Sequence, residues 1–154
     1  MGHHISAIIS KAPYNEEAAK EYDLPVFVEK GFAIDGLDAS HSDYWTEKLN
    51  LEYLEERIIV LDSVTTHHFS QALFENQVYA IINTDYLGGK GDQAASVYQE
   101  GQIIYSSERE RLGPINHALK LIGVKKPLLG DRFTSIGLAK YRWFDDHFEK
   151  YEDL

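Results

Sequence analysis

Residues 79–107 constrain the fold more than any other part of this chain, because they place three β-type runs close together. The runs YAIINTDY, AASVYQ and QIIYSS are rich in β-branched and aromatic residues, and only LGGKGDQ and EG separate them. Connections this short leave no room for a helical crossover, so the neighbouring strands must be antiparallel. The segment therefore predicts an antiparallel meander, with Glu100 and Gly101 as a tight turn.

Strand and helix patterns alternate through the rest of the chain. The clearest helix follows Pro114, because apolar residues recur at helical spacing up to Ile122 and Gly123 then ends the pattern. Further helices are predicted at residues 16–22, 40–53, 69–74 and 141–151, and further strands at residues 5–10, 26–28, 32–34 and 58–61. We therefore predict an α+β fold in a single globular domain over residues 1–154. Its sheet is mostly antiparallel or mixed, with about five to six strands, packed helices and a C-terminal helix last.

The charge distribution favours a basic partner. The net charge is −10, and residues 1–77 carry 14 acidic against 5 basic side chains. Such a surface repels phosphate backbones and anionic headgroups, so we expect neither nucleic-acid nor membrane binding. The chain has no Cys, which excludes disulfides and thiolate chemistry and fits a cytoplasmic location. We predict a small acidic soluble protein that binds without catalysis, in the manner of an immunity protein or inhibitor with a basic protein partner.

The glycine-rich connection between the first two runs resembles a nucleotide-binding pattern, since GKGDQA fits G-x-G-x-x-[GA]. A dinucleotide site needs a helix directly after the glycines, but here the β-type run AASVYQ follows, so no cofactor is predicted. Glycine instead indicates a flexible or bulged connection with several positive φ angles. Polar side chains surround it, and exposed loops on rigid scaffolds often bind. The predicted binding residues are Tyr86, Gly89, Lys90, Gly91, Asp92 and Gln93.

Catalytic signatures are weak. The seven histidines lack zinc-site spacing, so no metal is predicted, and no G-x-S-x-G elbow occurs. The alternative function is a small hydrolase that uses a His/Asp pair, with His68 and Asp85 as candidates because each flanks the predicted meander. Trp143 lies off the main apolar stripe of the last helix, and we expect broad burial of that helix to cover it. It is also a secondary binding candidate, through which the chain could form a homo-oligomer.

Overall fold

The fold is built on one antiparallel sheet in a computed structural model that describes residues 2–53 and 59–153. Its strands are β1 (Gly2–His3), β2 (Ser6–Lys11), β3 (Val26–Glu29), β4 (Phe32–Leu37), β5 (Tyr79–Leu87), β6 (Lys90–Gln99) and β7 (Gln102–Ser106). They run in the order β3-β4-β2-β5-β6-β7, and β1 pairs with β5 beyond the start of β2 at Ser6. The predicted meander is confirmed as β5, β6 and β7, and the described sheet has one strand more than the upper prediction.

Helices cover both faces of this sheet. They are α1 (Glu16–Glu21), α2 (Ala39–Lys48), α3 (Val64–Phe74), α4 (Pro114–Leu121), α5 (Arg132–Ser135) and α6 (Asp145–Phe148). The first three contribute to the core on one face, while α4 and the chain that follows it contribute to the core on the other. The α+β class is therefore confirmed.

Burial on both faces explains why the central strands are continuous apolar runs. Ile8 and Ile81 point into one core, and their neighbours Ile9 and Ile82 point into the other. All four side chains are fully buried. An antiparallel strand with one wet face would alternate apolar and polar residues, so the lack of alternation reports two packed faces.

The predicted strand over residues 58–61 is wrong. Residues 59–61 form a bend and turn, and Ile58 lies outside the described residues. Leu61 has a φ of 66°, which a regular strand does not allow. Ile59 is nonetheless buried in the core beside α3. In the described part of the run, the apolar character therefore reflects the burial of Ile59 in a turn and not strand pairing, since Val60 is half exposed.

Helix starts also differ from the sequence interpretation. Helix α2 begins at Ala39, one residue before the predicted start at residue 40, and is capped by Asp38, whose carboxylate accepts the amide of His41 at 3.2 Å. Helix α3 starts at Val64, because the Ser63 hydroxyl accepts the amide of Thr66. Both caps satisfy amides that the first helical turn leaves unpaired.

The C-terminal segment is a chain of short helices and not the single helix predicted over residues 141–151. Helix α6 is followed directly by a 3-10 turn at Glu149–Tyr151. Asp23 anchors the segment, because it accepts the Tyr151 hydroxyl at 2.6 Å and pairs with Lys150 at 2.6 Å. Trp143 lies outside the regular helix and is 53% exposed, so the expectation that broad burial would cover it is wrong.

Candidate functional site

The glycine-rich connection is a tight hairpin and not a flexible loop. Gly88 and Gly89 have φ angles of 60° and 78° and join β5 directly to β6. Two positive φ angles are the requirement of a type I′ turn, which matches the twist of antiparallel strands. Gly91 is already in β6, with a φ of 148°, and a Cβ there would lie 1.9 Å from the carbonyl oxygen of Asp85. Backbone approach therefore explains this glycine.

Two of the predicted binding side chains have structural partners inside the molecule. Gln93 is buried, and its Oε1 accepts the amide of Ile115 at 2.8 Å near the start of α4. Its Nε2 donates to the Tyr86 hydroxyl at 3.0 Å, and Tyr86 donates in turn to the carbonyl of Arg111. These contacts hold the hairpin to α4.

The outer part of the hairpin remains exposed at Gly89 and Lys90. Gly89, Tyr86 and Gln93 line one side of a cavity of about 300 Å³, and Arg142 lies on its other side. Sequence reasoning missed Arg142, which donates to the carbonyl of Gly2 at 3.2 Å. The predicted recognition surface thus borders a small cavity that the C-terminal segment completes.

The secondary candidates lie apart. His68 shares a 3.0 Å hydrogen bond with the Tyr22 hydroxyl on the α1–α3 side of the sheet. Asp85 instead pairs with His4, whose Nδ1 lies 2.9 Å from its carboxylate. Trp143 contributes to neither contact. His68 and Asp85 therefore do not form a pair with each other.

A cavity of about 890 Å³ lies at the end of the sheet where β2 begins and β4 ends. Four carboxylates border it: Asp38, Asp85, Glu108 and Asp145. We call it the carboxylate cleft. Glu108 and Asp145 are exposed and form no ion pair with any residue that the structure describes. Asp38 is engaged by the start of α2, and Asp85 by His4.

Arg109 also borders the carboxylate cleft, but its charge is already matched. Its Nε and one terminal nitrogen contact the same Asp92 oxygen at 2.9 and 2.8 Å, and that nitrogen also donates to Asn83 at 2.8 Å. Asp92, another predicted binding residue, therefore orients this arginine. The cleft keeps a negative balance as a result.

The floor of the carboxylate cleft is apolar. Ile5, Leu37 and Phe144 are buried beneath it, and Val60 stands half-exposed at its side. Phe144 fits there because Gly36 has no side chain, since a Cβ on Gly36 would lie 2.7 Å from the Phe144 ring. The cleft therefore combines an apolar floor with a carboxylate rim.

A second polar cluster links α3 to the sheet. His67 Nε2 donates to buried Asp62 at 2.7 Å, and its Nδ1 accepts the Tyr79 hydroxyl at 2.6 Å. The Tyr98 hydroxyl donates to the other Asp62 oxygen at 2.5 Å. Burial, with the charge of Asp62, raises the pKa of Tyr79 to about 12, so this phenol stays protonated and donates. His67 and both tyrosines border a cavity of about 460 Å³.

The described part of the chain was compared with the requirements of a metal site and of a membrane-spanning helix, and it meets neither. No group of three or more His, Asp or Glu side chains in residues 2–53 and 59–153 could hold a metal ion. Every helix in those ranges is too short or too polar to cross a bilayer.

Comparison of the chain with protein-family models, with curated proteins and with solved structures gave no significant match.

Proposed function

We propose that this protein is a non-catalytic binding protein that receives basic side chains of a protein partner in the carboxylate cleft. One observation supports the proposal most. The 890 Å³ carboxylate cleft carries four carboxylates, while the two basic groups beside them, His4 and Arg109, each contact an aspartate. Glu108 and Asp145 are therefore available to a cation from outside.

The cleft suits a lysine or arginine side chain in shape as well as charge. Such a side chain has an apolar stem and a charged end, and it lies most favourably with the stem on apolar surface. Leu37 and Phe144 supply that surface, and Glu108 and Asp145 the acceptors at the rim. An arginine is favoured over a lysine, because its guanidinium binds carboxylates in a bidentate fork.

The net charge of −10 supports the same reading at longer range. A negative protein attracts a positive one before contact and accelerates association, most strongly at low salt. We propose that binding masks the partner's basic surface in the cytoplasm, as an immunity protein or inhibitor does. Recognition by the hairpin residues Gly89 and Lys90 is a subsidiary part of this proposal.

An arginine-rich peptide tests the proposal. We expect ¹H–¹⁵N spectra of the full chain, titrated with a tetra-arginine peptide, to shift at residues 83–85 and 144–145 that border the cleft. Replacement of Glu108 by Gln and Asp145 by Asn together is expected to weaken binding about 5- to 30-fold, because each rim charge contributes about 0.5–1 kcal/mol. Glu16→Gln with Glu47→Gln removes the same charge from exposed positions on α1 and α2 and serves as the matched control. Equal weakening by both pairs would show general charge attraction and reject the cleft.

A second candidate function follows from the chain Asp62–His67–Tyr79. A carboxylate that orients a histidine, with a hydroxyl on its other nitrogen, is the arrangement of hydrolytic proton transfer. Here the raised pKa of Tyr79 keeps its hydroxyl protonated, so Tyr79 orients His67 through a hydrogen bond and is neither a nucleophile nor a ready proton donor. The hydrolase alternative would therefore use His67 and Asp62, with the 460 Å³ cavity as its substrate pocket.

Ester hydrolysis separates this candidate from the binding function. If the site is catalytic, His67→Gln should abolish hydrolysis of p-nitrophenyl acetate. The control His147→Gln replaces an exposed histidine and should keep the hydrolysis rate of the unaltered chain. Equal rates for both variants and the unaltered chain would remove the hydrolase.

A further inference from the structure

A second charged cavity, of about 390 Å³, lies at the far end of β2 and β4 from the carboxylate cleft. Three lysines from separate parts of the chain border it: Lys11 at the end of β2, Lys30 in the β3–β4 turn and Lys125 after α4. No acidic residue of the described chain is among its lining residues. We call it the lysine pocket.

The charges of the lysine pocket are only partly compensated, since Lys30 interacts electrostatically with its sequence neighbour Glu29. Lys11, Lys30 and Lys125 are exposed, and none forms an ion pair with a described residue. Glu29, next to Lys30 in sequence, is engaged by Lys140 at 2.5 Å and by the Tyr141 hydroxyl. Exposed lysines without an ion pair keep their charge toward solvent, so the pocket presents a local positive surface on a chain whose net charge is −10.

Backbone contacts shape the wall of the pocket. Arg132, which does not itself line the pocket, donates its Nε to the carbonyl of the lining residue Val124 at 2.8 Å. Gly123 has a φ of 101°, and a Cβ there would lie 2.8 Å from Cε and 3.1 Å from Nζ of Lys11. The stem of Lys11 therefore lies across Gly123, with its ammonium beside the backbone that borders the pocket. Buried Phe32 and Ile136 form an apolar floor.

We propose that the lysine pocket binds a small organic anion through phosphate groups that carry two or more negative charges in total. The predominance of lysine favours phosphate over carboxylate, since ammonium groups act as point charges toward phosphate while carboxylates are matched best by guanidinium forks. The cavity volume matches a ligand of small-metabolite size. This site is independent of the carboxylate cleft.

Calorimetry with inorganic pyrophosphate as the probe tests the site, with the full chain held at constant ionic strength. We expect binding that falls at least tenfold when Lys11 and Lys125 are both replaced by Gln. Lys20→Gln with Lys48→Gln removes two exposed lysines outside the pocket and should leave binding unchanged. Amide shifts at Gly31, Gly123 and Lys125 would locate the probe, and unchanged melting temperatures would show that the variants fold.

Three results would overturn the proposal. One is the absence of pyrophosphate binding, or equal binding by the two lysine pairs of variants. Another is citrate binding more tightly than pyrophosphate, which would assign the pocket to carboxylates. The third is a doubling of mass in light scattering that high salt reverses. In that case the double variant Lys11→Gln/Lys125→Gln and the single variant Glu108→Gln would each prevent the doubling. That result would show that a second copy of the chain, and not a small anion, occupies the pocket.

Discussion

The Oε1 of Gln93 accepts the backbone amide of Ile115 at 2.8 Å, so a side chain from the central sheet caps helix α4. Gly113 precedes this helix, and no residue of the described turn offers a side-chain cap. Gln93 therefore performs, from a distant strand, the task that Ser or Asp usually performs locally.

Replacement of Gln93 by Met is expected to destabilise the protein by about 2 kcal/mol. The change leaves the fully buried Ile115 amide without an acceptor, and a buried unpaired donor costs about 1–3 kcal/mol. Urea unfolding followed by circular dichroism measures the effect. Gln99→Met, at the exposed end of the same strand, is the control and should change stability by less than about 0.5 kcal/mol. Similar losses in both variants would mean that Gln93 does not act through Ile115.

Replacement of Gly91 by Ala is expected to cost at least about 3 kcal/mol, because the new Cβ would collide with the Asp85 carbonyl and the φ of 148° disfavours any side chain. Thermal unfolding gives the measurement. Gly88→Asn is the matched change in the same hairpin, at a φ of 60° with nothing within 4 Å, and should cost less than about 1 kcal/mol. A stable Gly91→Ala variant would contradict the close backbone approach.

Asp35 predicts a pH dependence of stability. It is fully buried on β4, and neither carboxylate oxygen has a hydrogen-bond partner among the described residues. Burial raises the pKa of Asp35 well above its ordinary value of 3.8. The unfolded chain therefore loses this proton first, so the free energy of unfolding falls as pH rises above about 4, by up to about 1.4 kcal/mol per pH unit, until the folded carboxyl ionises.

Asp35→Asn removes that dependence. We expect this variant to gain stability relative to the unaltered protein between pH 4 and pH 7, by at least about 1 kcal/mol. Chemical unfolding at both pH values gives the difference. Asp43→Asn, exposed on α2, is the control and should show no such gain. A constant difference across this range would mean that Asp35 has an ordinary pKa in the folded state.

The β7 edge predicts weak self-association. Gln102–Ser106 pairs only with β6 among the described strands, and Ile103 and Ile104 are each about half exposed. No Lys or Pro interrupts this edge, although such residues usually protect edge strands. We expect sedimentation velocity to show a concentration-dependent rise in mass that Ile104→Lys abolishes. Trp143→Ala should leave the rise unchanged, and the reverse pattern would assign the contact to Trp143.

The part of the fold that could be predicted from the sequence depends on features of residues close together in the chain. The meander follows from short connections whose glycines adopt the positive φ angles that tight turns need, as at Gly88 and Gly101. The turn at Leu61 was predicted as strand because burial and strand pairing select the same apolar residues. Periodicity alone cannot separate the two.

The site was less predictable because its residues meet only in the folded chain. Asp38 and Asp145 share the carboxylate cleft, although most of the chain separates them. Similarly, only the start of α3 at Val64 decides that His67, and not its neighbour His68, meets Asp62. The sequence predicts Gln93 as an exposed binding residue, because nothing near it in sequence reveals its distant partner Ile115.

Strand β2 separates two regions of opposite charge, with the carboxylate cleft beside Ser6 and the lysine pocket beside Lys11. Six residues of strand span roughly 17–20 Å, about twice the distance over which physiological salt screens a charge. The two ends of β2 therefore keep separate local electrostatic environments of opposite sign. A cationic ligand at one end and an anionic ligand at the other would scarcely affect each other's affinity through charge alone.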